Sequence, residues 1–116
     1  MEIRQEDKKI VAEFKDALLA KSESDLDKII FFGSRAVGLG KPESDYDLLL
    51  VVNKKDAGLV DKIYEISTDF SLKHEIDVSL KIYQVDDYRK KIEMPLPFFL
   101  NIKKNGVEIW NKPKPI

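Results

Sequence analysis

Apolar side chains recur at two different periods along the chain, and the change of period separates helices from strands. Helical spacing between charged neighbours predicts an amphipathic helix over residues 3–19, and a second such stretch predicts a helix over about Lys55 to Leu72, capped by Asn53. Two continuous apolar runs, Lys28–Phe32 and Leu48–Val52, predict strands. Because the second run is almost uniformly apolar, we expect it to be covered on both faces.

The second half of the chain changes pattern again. Residues 76–83 alternate apolar and polar side chains, which predicts a half-buried strand. Weaker patterns predict two short helices, a terminating glycine, a last strand and a proline-containing tail, in the order Asp87–Glu93, Phe98–Lys104, Gly106, Val107–Trp110 and Lys112–Ile116. The order α-β-loop-β-α-β-α-α-β predicts an α/β (α+β) protein with a mixed β-sheet flanked by helices.

Composition narrows the classes of function. At 116 residues we expect a single domain, and with 20 basic against 21 acidic residues a nucleic-acid-coating surface is disfavoured. The absence of cysteine excludes disulfides, zinc–thiolate sites and thiol nucleophiles, and a single histidine excludes a His-rich metal site. No stretch has the pattern of a signal peptide or a membrane span, so a cytoplasmic protein is expected.

Two aspartates open the second apolar strand. Residues two apart on an extended chain point to the same side, so Asp45 and Asp47 should point together. Two carboxylates this close repel each other unless cations neutralise them. Oxygen ligands of this kind suit Mg²⁺ or Mn²⁺, so this pair is a candidate metal site.

A third carboxylate, Asp77, occupies a polar position of the alternating strand. If that strand pairs with Leu48–Val52, Asp77 would lie within a few ångströms of the other two aspartates. Three carboxylates can hold two metal ions about 3.5–4 Å apart, the arrangement used for in-line displacement at phosphorus.

Gly33 and Ser34 end the first strand and would complete such a site. Gly33 lets the backbone approach a phosphate closely, and Ser34 offers a hydroxyl and an amide as donors. Arg35 and Lys41 are cations available to a negatively charged leaving group. For Arg35 a surface ion pair is an equal alternative, Lys41 is expected to be solvated, and Tyr46, on the opposite side of its strand, is expected in the core.

These motifs together resemble the nucleotidyltransferase superfamily that includes DNA polymerase β. Its pattern is Gly-Ser, about ten residues, Asp-x-Asp and a later lone Asp; here Gly33-Ser34, ten residues, Asp45-Tyr46-Asp47 and Asp77 match it. Taken singly, each motif has a plainer explanation, such as a strand-ending turn or a solvated strand entry. Their order and spacing together favour the resemblance, which covers about residues 28–82, leaves 86–116 as accessory elements, and implies the polymerase β-type fold.

The resemblance also implies a chemistry and roles. Asp45 and Asp47 would bind two Mg²⁺ ions, and Asp77 would bind the catalytic ion and help to deprotonate the attacking hydroxyl. Gly33 and Ser34, with Arg35 as a further candidate, would bind the phosphates of the substrate ATP. The short chain resembles minimal, MntA-like nucleotidyltransferase antitoxins, which implies AMP transfer onto a tyrosine of a HEPN-domain toxin partner.

Two other functions stay open at this point. The chain could act as a docking antitoxin or nucleotide-binding module without catalysis, although three converging carboxylates favour an enzyme. It could also transfer a nucleotide to a small molecule such as an aminoglycoside, although no substrate domain is recognisable.

Overall fold

The computed structural model of the protein describes residues 2–114, and four strands form one mixed sheet in it. The strands are β1 (Leu26–Phe32), β2 (Tyr46–Val52), β3 (Val78–Gln84) and β4 (Val107–Asn111). The helices are α1 (Gln5–Ser22), α2 (Ala57–His74), α3 (Val85–Lys91) and α4 (Pro97–Asn105). The predicted class, a mixed sheet flanked by helices, is therefore confirmed.

The predicted elements are all present, with ends that move by a few residues. The turn after Gly33 forms a short 3₁₀ helix, Ser34–Val37. One prediction is wrong: Asn53 does not cap α2. Its side-chain amide donates to the Ser24 carbonyl oxygen at 2.8 Å, and the α2 cap is Asp56, whose carboxylate accepts from the Leu59 amide. The last part of the predicted tail, residues 115 and 116, lies outside the described residues.

The strand order β3-β2-β1-β4 makes β2 a central strand with two different neighbours. It pairs in parallel with β3, with Asp47 opposite Ser79 and Leu49 opposite Lys81. It pairs antiparallel with β1, with Asp47 opposite Phe32. The start of β2 therefore lies between the end of β1 and the start of β3.

Apolar side chains cover both faces of the sheet, as predicted for β2. On one face, alternate residues of β1 and β2 such as Phe31, Leu48 and Leu50 pack against α1 and α2. On the other face, which we call the α4 face, Ile30, Phe32, Leu49 and Val51 pack with Tyr88 of α3 and with Phe99 and Ile102 of α4. Asp47 has the same alternation as Leu49, so its side chain belongs to the α4 face.

Helices α1 and α2 cover the first face because each is apolar on one side. Phe14 of α1 and Phe70 of α2 meet edge to face with ring centroids 5.1 Å apart. Among residues 2–114, no helix is long and apolar enough to span a lipid bilayer.

Candidate active site

The two halves of the Gly-Ser and Asp-x-Asp pattern meet at Gly33 and Asp47. Phe32 pairs with Asp47 across the β1–β2 ladder, which brings the next residue, Gly33, against the Asp47 carboxylate. A side-chain carbon added to Gly33 would overlap Asp47 Oδ2 and lie 2.9 Å from its Cγ. Gly33 also has φ +82°, a conformation that glycine adopts without strain. Glycine is thus required here by both contact and backbone.

The three predicted carboxylates lie at the edge of the sheet where β2 and β3 begin. The Tyr46 amide donates to the Asp77 carbonyl oxygen at 2.9 Å, which extends the parallel ladder and places Asp77 beside Asp45. Asp45 and Asp77 are exposed, whereas Asp47 is half-buried. By strand alternation, Asp45, Asp47 and Ser79 share the α4 face.

The negative charge of Asp47 is disfavoured by its surroundings. Burial raises the pKa of the Asp47 carboxyl above its ordinary value, and the neighbouring Asp45 carboxylate raises it further. Lys81 and the Ser79 hydroxyl act in the opposite direction. A half-buried carboxylate next to another carboxylate is stabilised by a nearby cation.

The donor set suits a hard divalent cation. Oxygen ligands from carboxylates fit Mg²⁺ or Mn²⁺, and the Gly33 gap keeps the Asp47 carboxylate from being covered by a side chain. However, three acidic or histidine side chains do not come together closely enough anywhere in residues 2–114 to form a three-ligand site. The participation of Asp77 as a third ligand therefore stays a prediction.

Arg35 lies elsewhere than either sequence-based alternative implied. Its side chain is buried, and Nη1 donates to Asp7 Oδ1 at 2.8 Å, so the ion pair is not at the surface. The Tyr46 hydroxyl donates to the same oxygen at 2.7 Å, and the guanidinium carbon lies 4.3 Å from the centre of the Tyr46 ring. Tyr46 is in the core, as predicted. The Arg35 guanidinium is thus on the side of β2 opposite Asp47, which disfavours contact with a phosphate there.

The remaining donors of Arg35 hold the loop that leads to the aspartates. Nη2 donates to the Pro42 carbonyl oxygen and Nε to the Ser44 carbonyl oxygen, both at 2.9 Å. Arg4 donates to the Gly40 carbonyl oxygen of the same loop. These hydrogen bonds from Arg35 and Arg4 fix the chain immediately before Asp45. On the other side of the ion pair, burial and the hydrogen bond to Asp7 raise the pKa of Tyr46 to about 12.

Sequence reasoning missed two charged residues near the site. Asp7 is one of several charged residues of α1 but is fully buried, and its helical spacing from Val11 and Phe14 could have placed it on the apolar side of the helix. Lys81 stands four residues after Asp77 in the alternating strand, so the period-2 pattern that identified Asp77 could have placed it on the same face. Lys41, the other candidate cation, is exposed, as expected.

Comparison with known proteins agrees with this geometry. Residues 11–101 match the nucleotidyltransferase domain family. An inferred protein adenylyltransferase of Methanocaldococcus jannaschii is 33% identical over 101 residues, which span 86% of this chain and 95% of that protein. A second inferred protein adenylyltransferase of the same organism is 30% identical over 100 residues, 86% of this chain and 94% of that protein.

Solved structures share the fold. The structure of an inferred nucleotidyltransferase from Sulfolobus solfataricus superposes with a TM-score of 0.54 at 22% identity, covering 90% of this chain and 79% of that one. A chain of the toxin–antitoxin complex MntA–HpeT superposes with a TM-score of 0.57 at 17% identity, covering 86% and 71%. With the Gly33–Asp47 contact and the family match over most of the chain, this protein belongs to the nucleotidyltransferase domain family and is a minimal nucleotidyltransferase.

Proposed function

We propose that this nucleotidyltransferase moves AMP from ATP onto a tyrosine hydroxyl of a HEPN-domain toxin partner and acts as an antitoxin. The observation that carries the proposal is the contact of Gly33 with Asp47, which joins the phosphate-binding and carboxylate parts of the pattern into one site. The relatives named as protein adenylyltransferases support a protein as acceptor. The toxin–antitoxin complexes of similar fold, one of them with AMP-PNP, are consistent with a toxin partner and ATP.

Asp45 and Asp47 are the residues that would hold two Mg²⁺ ions, with Asp77 as the third carboxylate. When bound, such ions neutralise charge that develops on the phosphoryl oxygens and orient the reacting groups. The Gly33 backbone and the hydroxyl and amide of Ser34, an exposed residue, would bind the β and γ phosphates. Mn²⁺ offers the same preference for oxygen ligands and could replace Mg²⁺.

The transfer is an in-line substitution at the α-phosphorus. The acceptor oxygen forms a bond to this phosphorus, the bond to the β-phosphate oxygen breaks, and pyrophosphate leaves with that electron pair. Asp77 helps to remove the acceptor proton, for which an exposed carboxylate at the start of β3 is accessible. The products are AMP-modified acceptor and pyrophosphate.

Incubation with Mg²⁺, ATP labelled at the α-phosphate and the protein of a neighbouring toxin gene tests this function. We expect label on a toxin tyrosine, loss of toxin activity, and no label with Asp45→Ala/Asp47→Ala. Lys73→Ala, an exposed substitution on α2, is a matched control that should label normally.

Other outcomes separate the alternatives. A stable complex that neutralises the toxin equally well with Asp45→Ala/Asp47→Ala would establish a docking antitoxin instead. Label on an added aminoglycoside, and none on protein, would establish a small-molecule acceptor.

A further inference from the structure

The strand register fixes the position of Lys81 relative to Asp47. Ser79 lies directly opposite Asp47 in the β2–β3 ladder, and Lys81 follows two residues later, opposite Leu49. Side chains two residues apart on a strand share a face, so Lys81 leaves the sheet on the same α4 face as Asp47.

The Phe98 ring lies next to the Lys81 ammonium group above this part of the sheet. The ammonium nitrogen lies 5.4 Å from the centre of the Phe98 ring at the start of α4. Phe98 in turn packs edge to face on Phe32, with centroids 5.5 Å apart, and Phe32 is the β1 partner of Asp47. The Lys81 ammonium group therefore lies on the α4 face, where its positive charge also attracts the Asp47 carboxylate.

In the part of the chain that the structure describes, Lys81 contacts the Phe98 ring but uses none of the hydrogen-bond donors of its side chain. Within residues 2–114, its ammonium group takes part in none of the salt bridges or side-chain hydrogen bonds, whereas Arg35 uses all three guanidinium nitrogens internally. Lys81 is exposed, so its donors are accessible to a ligand. An accessible, uncommitted cation beside a candidate phosphate site is suited to an anionic group.

We propose that Lys81, rather than Arg35, is the side chain that binds the phosphate chain of the nucleotide. This inference rests on the proposed function, because it places the nucleotide between the Gly33–Asp47 contact and the α4 face. A lysine at this point supplies three donors and a positive charge to phosphate oxygens. Lys81 would contact the phosphates and not the base, so it should increase the affinity for every nucleoside triphosphate by the same factor.

Calorimetric titration with Mg²⁺–ATP and with Mg²⁺–tripolyphosphate, which lacks base and ribose, tests this contact. Removal of a charge-assisted hydrogen bond typically weakens binding by about tenfold to a hundredfold. We therefore expect Lys81→Met to weaken both ligands by a similar factor in this range. Lys81→Arg should recover much of the affinity, and Lys73→Met on the opposite face should bind like wild type.

The outcomes distinguish this inference from the proposed function. Wild-type protein that binds neither ligand would overturn both. Wild-type binding with unchanged affinity in folded Lys81→Met would overturn the role of Lys81 alone. If Lys81→Met bound ATP more weakly but tripolyphosphate as tightly as wild type, the proposed phosphate contact would also be overturned, because Lys81 would then contact the nucleoside.

Discussion

Asp7 and Arg35 form a buried ion pair that connects the first turn of α1 to the loop before the aspartates. Asp7 has no exposed surface and Arg35 is 6% exposed, and the two charged groups are 2.8 Å apart. The second Asp7 oxygen, Oδ2, has no hydrogen-bond partner in residues 2–114. Asp7 therefore depends on Arg35 and on the Tyr46 hydroxyl for compensation of its charge.

Arg35→Met should destabilise the protein strongly. The substitution leaves the Asp7 charge buried without its cation, and loss of one partner of a buried pair costs about 3–5 kcal/mol. Urea denaturation measures the change in the free energy of unfolding. Lys15→Met, which removes a partly exposed surface pair with Asp16, should cost at most about 1 kcal/mol.

A second substitution at the partner separates charge from packing. Asp7→Asn combined with Arg35→Met should recover part of the lost stability, because no full charge is then left buried. A single Arg35→Met variant as stable as wild type would mean that Asp7 does not carry a buried charge.

The sequence predicted the element order well because the longer helices and the first three strands have clear periods, although the patterns of α3, α4 and β4 are weaker. The alternation over residues 76–83 and the apolar run at Leu48–Val52 depend on local side-chain character, which the folded sheet retains. Gly33 lies against Asp47 because β1, the loop and β2 form an antiparallel pair, in which Phe32 is opposite Asp47.

The role of Arg35 could not be predicted in the same way. Its partner Asp7 is 28 residues away, in a helix whose other charged residues are mostly exposed. Helical spacing places Asp7 on the same side of α1 as the buried Val11 and Phe14, but this spacing does not identify its cationic partner. The pairing of Asp7 with Arg35 depends on how α1 packs against the loop, and this packing is a property of the whole fold.

Gly33→Ala should destabilise the protein and damage the site together. An added methyl group would overlap the Asp47 carboxylate, and a non-glycine residue at φ +82° costs roughly 1–2 kcal/mol in backbone strain alone. Gly58→Ala in α2 is a matched control. Its added carbon would meet Asp56 Oδ1 at 3.5 Å, an ordinary contact, so it should be stabilising by about 0.4–1 kcal/mol.

Thermal or urea denaturation of both glycine variants measures this difference. Equal effects of Gly33→Ala and Gly58→Ala would contradict a close approach of Gly33 to Asp47. Metal-dependent stabilisation, measured on the same samples, should be weaker for Gly33→Ala because the Asp47 carboxylate must move.

Asp47→Asn should increase stability in Mg²⁺-free buffer while it removes activity. At neutral pH the folded protein keeps a half-buried carboxylate beside Asp45, and its raised pKa shows that folding disfavours this charge. An amide removes the repulsion. Transfer should fall by more than about a hundredfold, since loss even of groups supporting metal ligands costs about 10–100-fold.

Parallel urea denaturation and transfer assays test both halves of this expectation. Asp86→Asn, at an exposed carboxylate on α3, serves as the control and should leave transfer unchanged. Lower stability of Asp47→Asn than of wild type without metal would contradict the electrostatic strain at this position.

The stabilising effect of the Tyr46 hydroxyl should disappear at high pH. Because burial and the bond to Asp7 raise the pKa of Tyr46 from 10.0 to about 12, the folded protein holds this proton more tightly than the unfolded chain does. The associated stability is fully present below about pH 10 and is lost as the pH rises through about 12. At neutral pH, Tyr46→Phe removes a hydrogen bond to a carboxylate and should cost about 1.5–3 kcal/mol.

The difference between wild type and Tyr46→Phe, followed by urea denaturation from neutral pH upward, isolates this group from the lysines that also titrate. It should stay constant to about pH 10 and then shrink toward zero near pH 12, because the Tyr46 phenolate cannot donate to Asp7. Tyr64→Phe, at a side chain that is 48% exposed, should show no such pH-dependent difference. A constant difference for Tyr46→Phe throughout would mean that the hydroxyl proton is not held by Asp7, and the buried network would need another donor for that carboxylate.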